Sequence, residues 1–195
     1  LWDNQSSILV GDYLFSKSFQ LMVEANSLKV LSVLADASAT ISEGEILQLS
    51  ATKNIHTDEA TYFKIIDGKT AALFSAATKV GAIISNMDET HVDALTNFGK
   101  ALGISFQLTD DLLDYTGFEE SLGKNIGDDL AEGKMTLPLI YAMKNGKNSQ
   151  KIVIQEAIKN TNICDLKNIL TIIRETGALE YSMSCAKKHA MDAKQ

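Results

Sequence analysis

Three carboxylates fall within five residues, Asp110-Asp111-Leu112-Leu113-Asp114, in a stretch whose apolar residues recur at helical spacing. Gln107 lies three residues before Asp110 and four before Asp111, and Asp114 follows them by four and three, so all four side chains share one helix face. Like charges at these spacings cost a helix about 0.2–0.5 kcal/mol per pair. Gly117 puts the cluster in a last turn, where the helix dipole also disfavours anions. A positive partner should compensate. Carboxylate oxygens that converge without enclosing a cavity suit Mg²⁺, which keeps several waters and completes its shell with substrate phosphates. The competing reading is a solvated acidic face, and D-D-x-x-D arises by chance in roughly one such chain in fifteen, so the cluster needs support from elsewhere.

Gly68-Lys69-Thr70 invites comparison with a phosphate-binding P-loop, but that loop needs a glycine where this chain has Phe63, and it must leave a strand. Within a helix rich in small residues, Lys69 and Thr70 still offer one cation and one hydroxyl to a phosphate. Lys124 and Lys134 each follow a glycine, where small neighbours let a ligand approach the backbone and lysine acts on phosphate as a point charge. Asp128-Asp129 could add metal contacts or keep the segment solvated. His56, His91 and His189 are isolated from one another in sequence, so no zinc site or histidine-centred triad can be assembled.

The elements that must position these groups are helical. A single proline, Pro138, interrupts long stretches of three- and four-residue apolar periodicity. The pattern predicts a first helix over residues 8–36. Ser42 with Glu45 reads as a capping box that starts a short second helix, ending near 54. Thr57, with Asp58 and Glu59 behind it, caps a third that runs to about 85. A fourth covers 92–115, with Leu95, Phe98, Leu102 and Phe106 as its core-facing stripe. Residues 117–136 carry four glycines and mixed charge without periodicity, which reads as a long polar loop. Loops beyond about 12–15 residues in a compact domain are usually functional. Pro138 opens the next helix, and others follow near 150–160, 165–176 and 178–194.

At 195 residues, with 45% hydrophobic and 22% charged composition, the chain can bury a sizeable core. A net charge of −7 leaves no basic footprint for nucleic acid and no polybasic segment for an anionic membrane. No apolar run approaches the length of a membrane span. Cys164 and Cys185 form neither a disulfide framework nor a metal-ligand pair, which fits a reducing compartment. The first residue is Leu1 rather than Met, so the chain reads as a fragment of a longer protein.

Gly68-Lys69-Thr70, Phe106 through Asp114, Gly123-Lys124, and Gly127 through Pro138 occur in an order and spacing that resembles the trans-polyprenyl diphosphate synthases. Val10-Gly11-Asp12-Tyr13-Leu14 and Ser42-Glu43-Gly44-Glu45 extend the resemblance nearer the start. It implies an all-α, isoprenoid synthase-type helical bundle around a central apolar cavity, with residues 1–195 forming one domain. The implied reaction is Mg²⁺-dependent ionisation of an allylic diphosphate, attack by isopentenyl diphosphate and loss of a proton. Asp110, Asp111 and Asp114 match the second of the family's two aspartate-rich motifs, which binds Mg²⁺. Lys69, Thr70, Lys124 and Lys134 match residues that hold the diphosphate, and Gln107 matches a glutamine placed to steady the growing carbocation or its metal-bound neighbours. Asp128 and Asp129 match a looser acidic pair.

The first aspartate-rich motif has no counterpart here. The chain therefore resembles the C-terminal two-thirds of a synthase, truncated also at its end and inactive alone. The local wording resembles bacterial synthases of long, octaprenyl-type chains for quinones such as ubiquinone. A homodimer located in the cytoplasm, or the mitochondrial matrix of a eukaryote, is the implied setting. The alternatives are a non-catalytic subunit of a heteromeric synthase, a terpene cyclase relative, and a helical domain without enzymatic activity.

Overall fold

The computed structural model describes residues 3–116, 127–161 and 166–194, and every regular element among them is helical. Gly123, Lys124 and Cys164 lie outside the described residues.

The periodicity over 8–36 predicts one helix, but the structure has two, α1 (Asn4–Glu24) and α2 (Leu28–Ala51). Asn26 adopts a φ of +48° between them, a left-handed conformation that asparagine tolerates better than most residues. Ser27 then caps α2 by accepting from the Val30 N–H at 3.4 Å. The capping box at Ser42 and Glu45 does not form either, because α2 runs straight through it. The Ser42 hydroxyl donates instead to the Ser38 carbonyl at 3.0 Å, one turn back.

Asp58, rather than Thr57, caps α3 (Glu59–Ile66), accepting from the Thr61 N–H at 2.8 Å. The predicted third helix then contains a widened five-residue π turn, Asp67–Ala71, before continuing as α4 (Ala72–Ile84). Such bulges occur often at functional sites. This one carries Gly68, Lys69 and Thr70. Next comes α5 (Glu89–Thr116), whose 28 residues make a rod about 42 Å long. It ends as expected just after Asp114. A single short turn, α6 (Asp128–Ala131), follows Gly127, whose φ of +87° suits glycine.

The C-terminal part contains α7 (Leu137–Asn145), α8 (Asn148–Asn160), α9 (Leu166–Glu175) and α10 (Ala178–Asp192). Pro138 occupies the first turn of α7, where no amide donor is needed. The main core lies where the second half of α5 meets these helices: Leu108, Tyr115, Leu137, Leu139, Ile154, Ile158, Ile169 and Ile173 are all essentially removed from solvent. The Ser105 hydroxyl ties α5 to α10 through the Ala186 carbonyl at 2.9 Å.

On its other side, α5 meets α4 through small residues. A Cβ on Gly103 would stand 2.6 Å from the Ala71 Cα, so the two backbones are nearly in contact. The Ser75 and Thr78 hydroxyls of α4 donate across this crossing to the Thr96 and Leu95 carbonyls, at 3.0 and 2.6 Å.

One expectation about α5 reverses. Phe98, Leu102 and Phe106 are 38%, 38% and 55% exposed rather than core residues. The core-facing stripe is the one through Ile104, Leu108, Leu112 and Tyr115, roughly opposite. Leu73 of α4 is exposed as well, and the Phe74 ring lies 5.4 Å from that of Phe106. The apolar residues of α1 are exposed too, and none of its residues is buried. No helix among the described residues is long and apolar enough to cross a membrane.

Candidate functional site

At the C-terminal end of α5, a pocket of roughly 360 Å³ is walled by α2, α3, the π turn, α5 and the 127–136 segment. Each wall contributes polar groups for a local reason. The π turn sends two consecutive residues to different neighbours, Lys69 to α2 and Thr70 to α5. The Lys69 ammonium donates to Gln48 Oε1 at 2.9 Å and lies 3.5 Å from the Glu45 carboxylate. The Thr70 hydroxyl donates to Gln107 Oε1 at 2.8 Å.

Gln107 then turns its amide nitrogen to the aspartates, 2.7 Å from Asp111 Oδ1 and 3.4 Å from Asp110 Oδ2. The second oxygen of Asp111 accepts from the Tyr62 hydroxyl at 2.6 Å. Thr70, Gln107, Asp111 and Tyr62 thus form one hydrogen-bonded line that joins three helical elements.

The three aspartates of the cluster do not share one environment. All three line the pocket, but Asp111 is 5% exposed and hydrogen-bonded to Tyr62 of α3, whereas Asp110 and Asp114 are half-buried. Asp114 accepts the Asp128 and Asp129 amides at 3.1 and 3.3 Å, so it anchors the return of the chain into the short turn α6. Lys134 is held by Asp129 at 3.2 Å and by Glu132. The Lys53 amide donates to the Gly133 carbonyl at 2.8 Å and closes this wall against the end of α2.

The pocket's field is negative, since six acidic side chains and two lysines line it. Burial raises the Asp111 pKa from 3.8 to about 6, with Asp129 and Asp110 pushing the same way against the hydrogen bonds from Tyr62 and Gln107. Asp114 also rises to about 6, through burial first and then Asp129. Burial opposes the charge on Lys134, but its hydrogen bonds to Glu132 and Asp129 outweigh this and its pKa is raised. Excess carboxylate charge of this kind calls for a cation.

No three metal-ligating side chains among the described residues stand close enough to cage an ion by themselves. That suits Mg²⁺, which binds through one or two carboxylates and leaves the rest of its octahedron to water and phosphate. A folded-state pKa near 6 against 3.8 means that the folded chain holds more protons than the unfolded one between those values. These two groups therefore lose the fold stability as pH rises from 3.8 to about 6. Mg²⁺ should offset that loss, raising the thermal midpoint more at pH 7 than at pH 4.5. Equal shifts in a melting experiment would show that the cation does not meet these carboxylates.

The structure brings Lys69, Gln107, Asp110, Asp111, Asp114, Asp128, Asp129 and Lys134 to one pocket, with Thr70 behind it on Gln107. Two polar groups in it escaped the sequence reading. Gln48 sits in the middle of a long helix, where one polar residue carries no signal. Tyr62 stands seven residues, two turns, before Lys69, and that spacing was its one available cue.

A family profile described as polyprenyl synthetase matches residues 1–173. Octaprenyl diphosphate synthase of Haemophilus influenzae is 44% identical over 191 residues, which is 97% of this chain and 58% of that protein. All-trans-nonaprenyl-diphosphate synthase of Rhodobacter capsulatus is 42% identical over 92% of this chain and 55% of its own length. The chain thus spans less than three-fifths of the length of these curated relatives. The crystal structure of a polyprenyl synthase from Caulobacter crescentus, complexed with calcium and isoprenyl diphosphate, superposes with a TM-score of 0.94 at 42% identity. That match covers 99% of this chain and 60% of the other.

Proposed function

The chain belongs to the polyprenyl synthetase family, and on that premise we propose that its pocket binds an allylic diphosphate, assists its ionisation and joins the allylic carbon to isopentenyl diphosphate. One observation carries the reading. Lys69 of the π turn, Gln107, Asp110, Asp111 and Asp114 of α5, and Asp128, Asp129 and Lys134, far apart in sequence, line a single pocket, with Thr70 hydrogen-bonded to Gln107 beside it.

The hard step in such a reaction is breaking a carbon–oxygen bond so that both electrons leave with pyrophosphate. Lys69 and Lys134 face the developing negative charge as fixed cations, in a site where preorganised charge is worth far more than in water. Thr70 and Gln107 orient one another beside them. Asp110, Asp111 and Asp114 all present carboxylates to the pocket, and Asp111 and Asp114 also hold the elements around it. Asp110 and its neighbours on this face would hold Mg²⁺, which would supply Lewis-acid charge to the leaving diphosphate. The new bond forms from the double bond of isopentenyl diphosphate to the allylic carbon, and a proton is then lost. The exposed apolar stripe along Phe106, Leu102 and Phe98 is the surface on which the growing chain lies, and the chain in covering it would help to exclude water from the cation.

The full-length protein, given farnesyl diphosphate, isopentenyl diphosphate and Mg²⁺, should release pyrophosphate and form a long product, of the octaprenyl order borne in the Haemophilus influenzae relative's name. Mass spectrometry of the extracted product checks this. No elongation would defeat the reading, and a product stopping at four isoprene units would defeat the long-chain assignment. Lys69→Ala should weaken allylic diphosphate binding on the order of tenfold, the loss expected for a charge-assisted hydrogen bond of about 1.5–3 kcal/mol. Unchanged affinity in calorimetry would remove Lys69 from the site.

A further inference from the structure

Tyr62 belongs to the second turn after the start of a short helix and is 3% exposed, yet its hydroxyl is not simply buried packing. It donates to Asp111 Oδ2 at 2.6 Å, across 49 residues of sequence. The other Asp111 oxygen accepts from Gln107 Nε2 at 2.7 Å. A donor on each oxygen stops the carboxylate from turning about its own bond to Cβ. A carboxylate accepts and does not donate while ionised, so it selects the amide nitrogen of Gln107 over its carbonyl. The carbonyl is thereby turned the other way, where it accepts from the Thr70 hydroxyl at 2.8 Å.

Resting on the functional reading above, we infer that Tyr62 is a positioning residue: its hydroxyl holds the Asp111 carboxylate in place, and that carboxylate in turn holds the Gln107 amide with its nitrogen toward the aspartates and its carbonyl toward Thr70. Tyr62 touches no substrate in this account. Its hydroxyl is spent on Asp111, which holds Gln107, as outer partners do for groups that meet a metal and its ligands. Gln107 and Thr70 then present a fixed dipole and hydroxyl to the diphosphate rather than a freely flipping amide. The phenol ring also packs edge-to-face on Phe63, with centroids 5.6 Å apart, and phenylalanine at position 62 would preserve that contact.

The test is Tyr62→Phe, which removes one oxygen and leaves the ring. Calorimetry with inorganic pyrophosphate and Mg²⁺ should show affinity reduced about tenfold or more, the range found when outer partners of a metal site are removed. In the full-length protein kcat should fall by a similar factor, with the KM for isopentenyl diphosphate within about twofold, whereas lost packing alone would lower the melting temperature and leave both unchanged. If Tyr62 acts through Gln107, adding Tyr62→Phe to Gln107→Leu should change pyrophosphate affinity less than about twofold, because interactions along one network are not additive. Unaltered affinity in Tyr62→Phe would overturn the inference, and so would effects that add in the double variant. Failure of the unsubstituted chain to bind pyrophosphate with Mg²⁺ would instead overturn the functional reading itself.

Discussion

Asp110→Ala in the full-length protein is expected to lower turnover at least a hundredfold, raise the Mg²⁺ concentration needed for half-maximal rate, and leave the helical circular dichroism unchanged. The reason is its place on α5. Asp110 is half-buried and lines the pocket, one turn after Gln107 and 3.4 Å from its amide, and unlike Asp114 it does not receive the backbone amides of the 127–129 turn. Removing it takes negative charge from the side where a cation must stand, and losing one charge-stabilising group in such sites costs about 10²–10³ in rate. The fold does not depend on it, since like charges on one helical turn oppose the helix to begin with. Steady-state rates across a magnesium series check the prediction, and near-normal kinetics would refute the assignment of this face to the metal.

Gly44→Val is expected to be the most damaging single change outside the pocket. A Cβ at this point of α2 would stand 2.5 Å from the Lys69 amide nitrogen and 2.9 Å from the Gly68 carbonyl carbon. Both are backbone atoms, so no side chain can swing aside. The reverse holds for Gly68, whose Cβ would meet the Gly44 Cα at 3.1 Å. The two glycines let α2 lie directly on the π turn and bring Gln48 within 2.9 Å of Lys69. Overpacking of this kind typically costs about 1–3 kcal/mol, and a backbone collision belongs at the upper end. For a chain of this length, a loss of roughly 3 kcal/mol lowers the melting temperature by about 6–12 °C. The displacement should also weaken pyrophosphate binding, because Lys69 moves with the turn. A melting temperature within about 2 °C of the unsubstituted protein would contradict the close crossing.

Much of the site was legible because it obeys simple periodicity. Gln107, Asp110, Asp111 and Asp114 share a helix face by spacing alone, whereas Gly117, read as the end of that helix, lies outside the described residues. The approach of Lys69 and Thr70 came from resemblance, since nothing in a Gly-Lys-Thr tripeptide says which helix it will face. Their divergence depends on the π turn, a register shift that no residue pattern announces.

The misreadings have equally local causes. Asn26 and Ser27 break a helix without glycine or proline, through one left-handed residue and one cap. Ser42 and Glu45 have the residue types of a cap but sit where the helix gains more by continuing. Phe98, Leu102 and Phe106 carry the period of a covered face. Periodicity says that such a stripe needs an apolar partner, not whether that partner is a core or a ligand. Tyr62 and Gln48 were illegible because a lone polar residue on a helix acquires meaning only from what it meets.

The central claim is that the aspartate face and Lys69 bind a metal and a diphosphate together. Soaking crystals of this chain with Mn²⁺ and pyrophosphate, and locating the metal by anomalous scattering, tests it most directly. The expected result is a metal peak beside the Asp110 carboxylate, bridged to a pyrophosphate within hydrogen-bonding distance of the Lys69 ammonium. A metal bound away from Asp110, or a pyrophosphate that makes no contact with Lys69, would contradict the account.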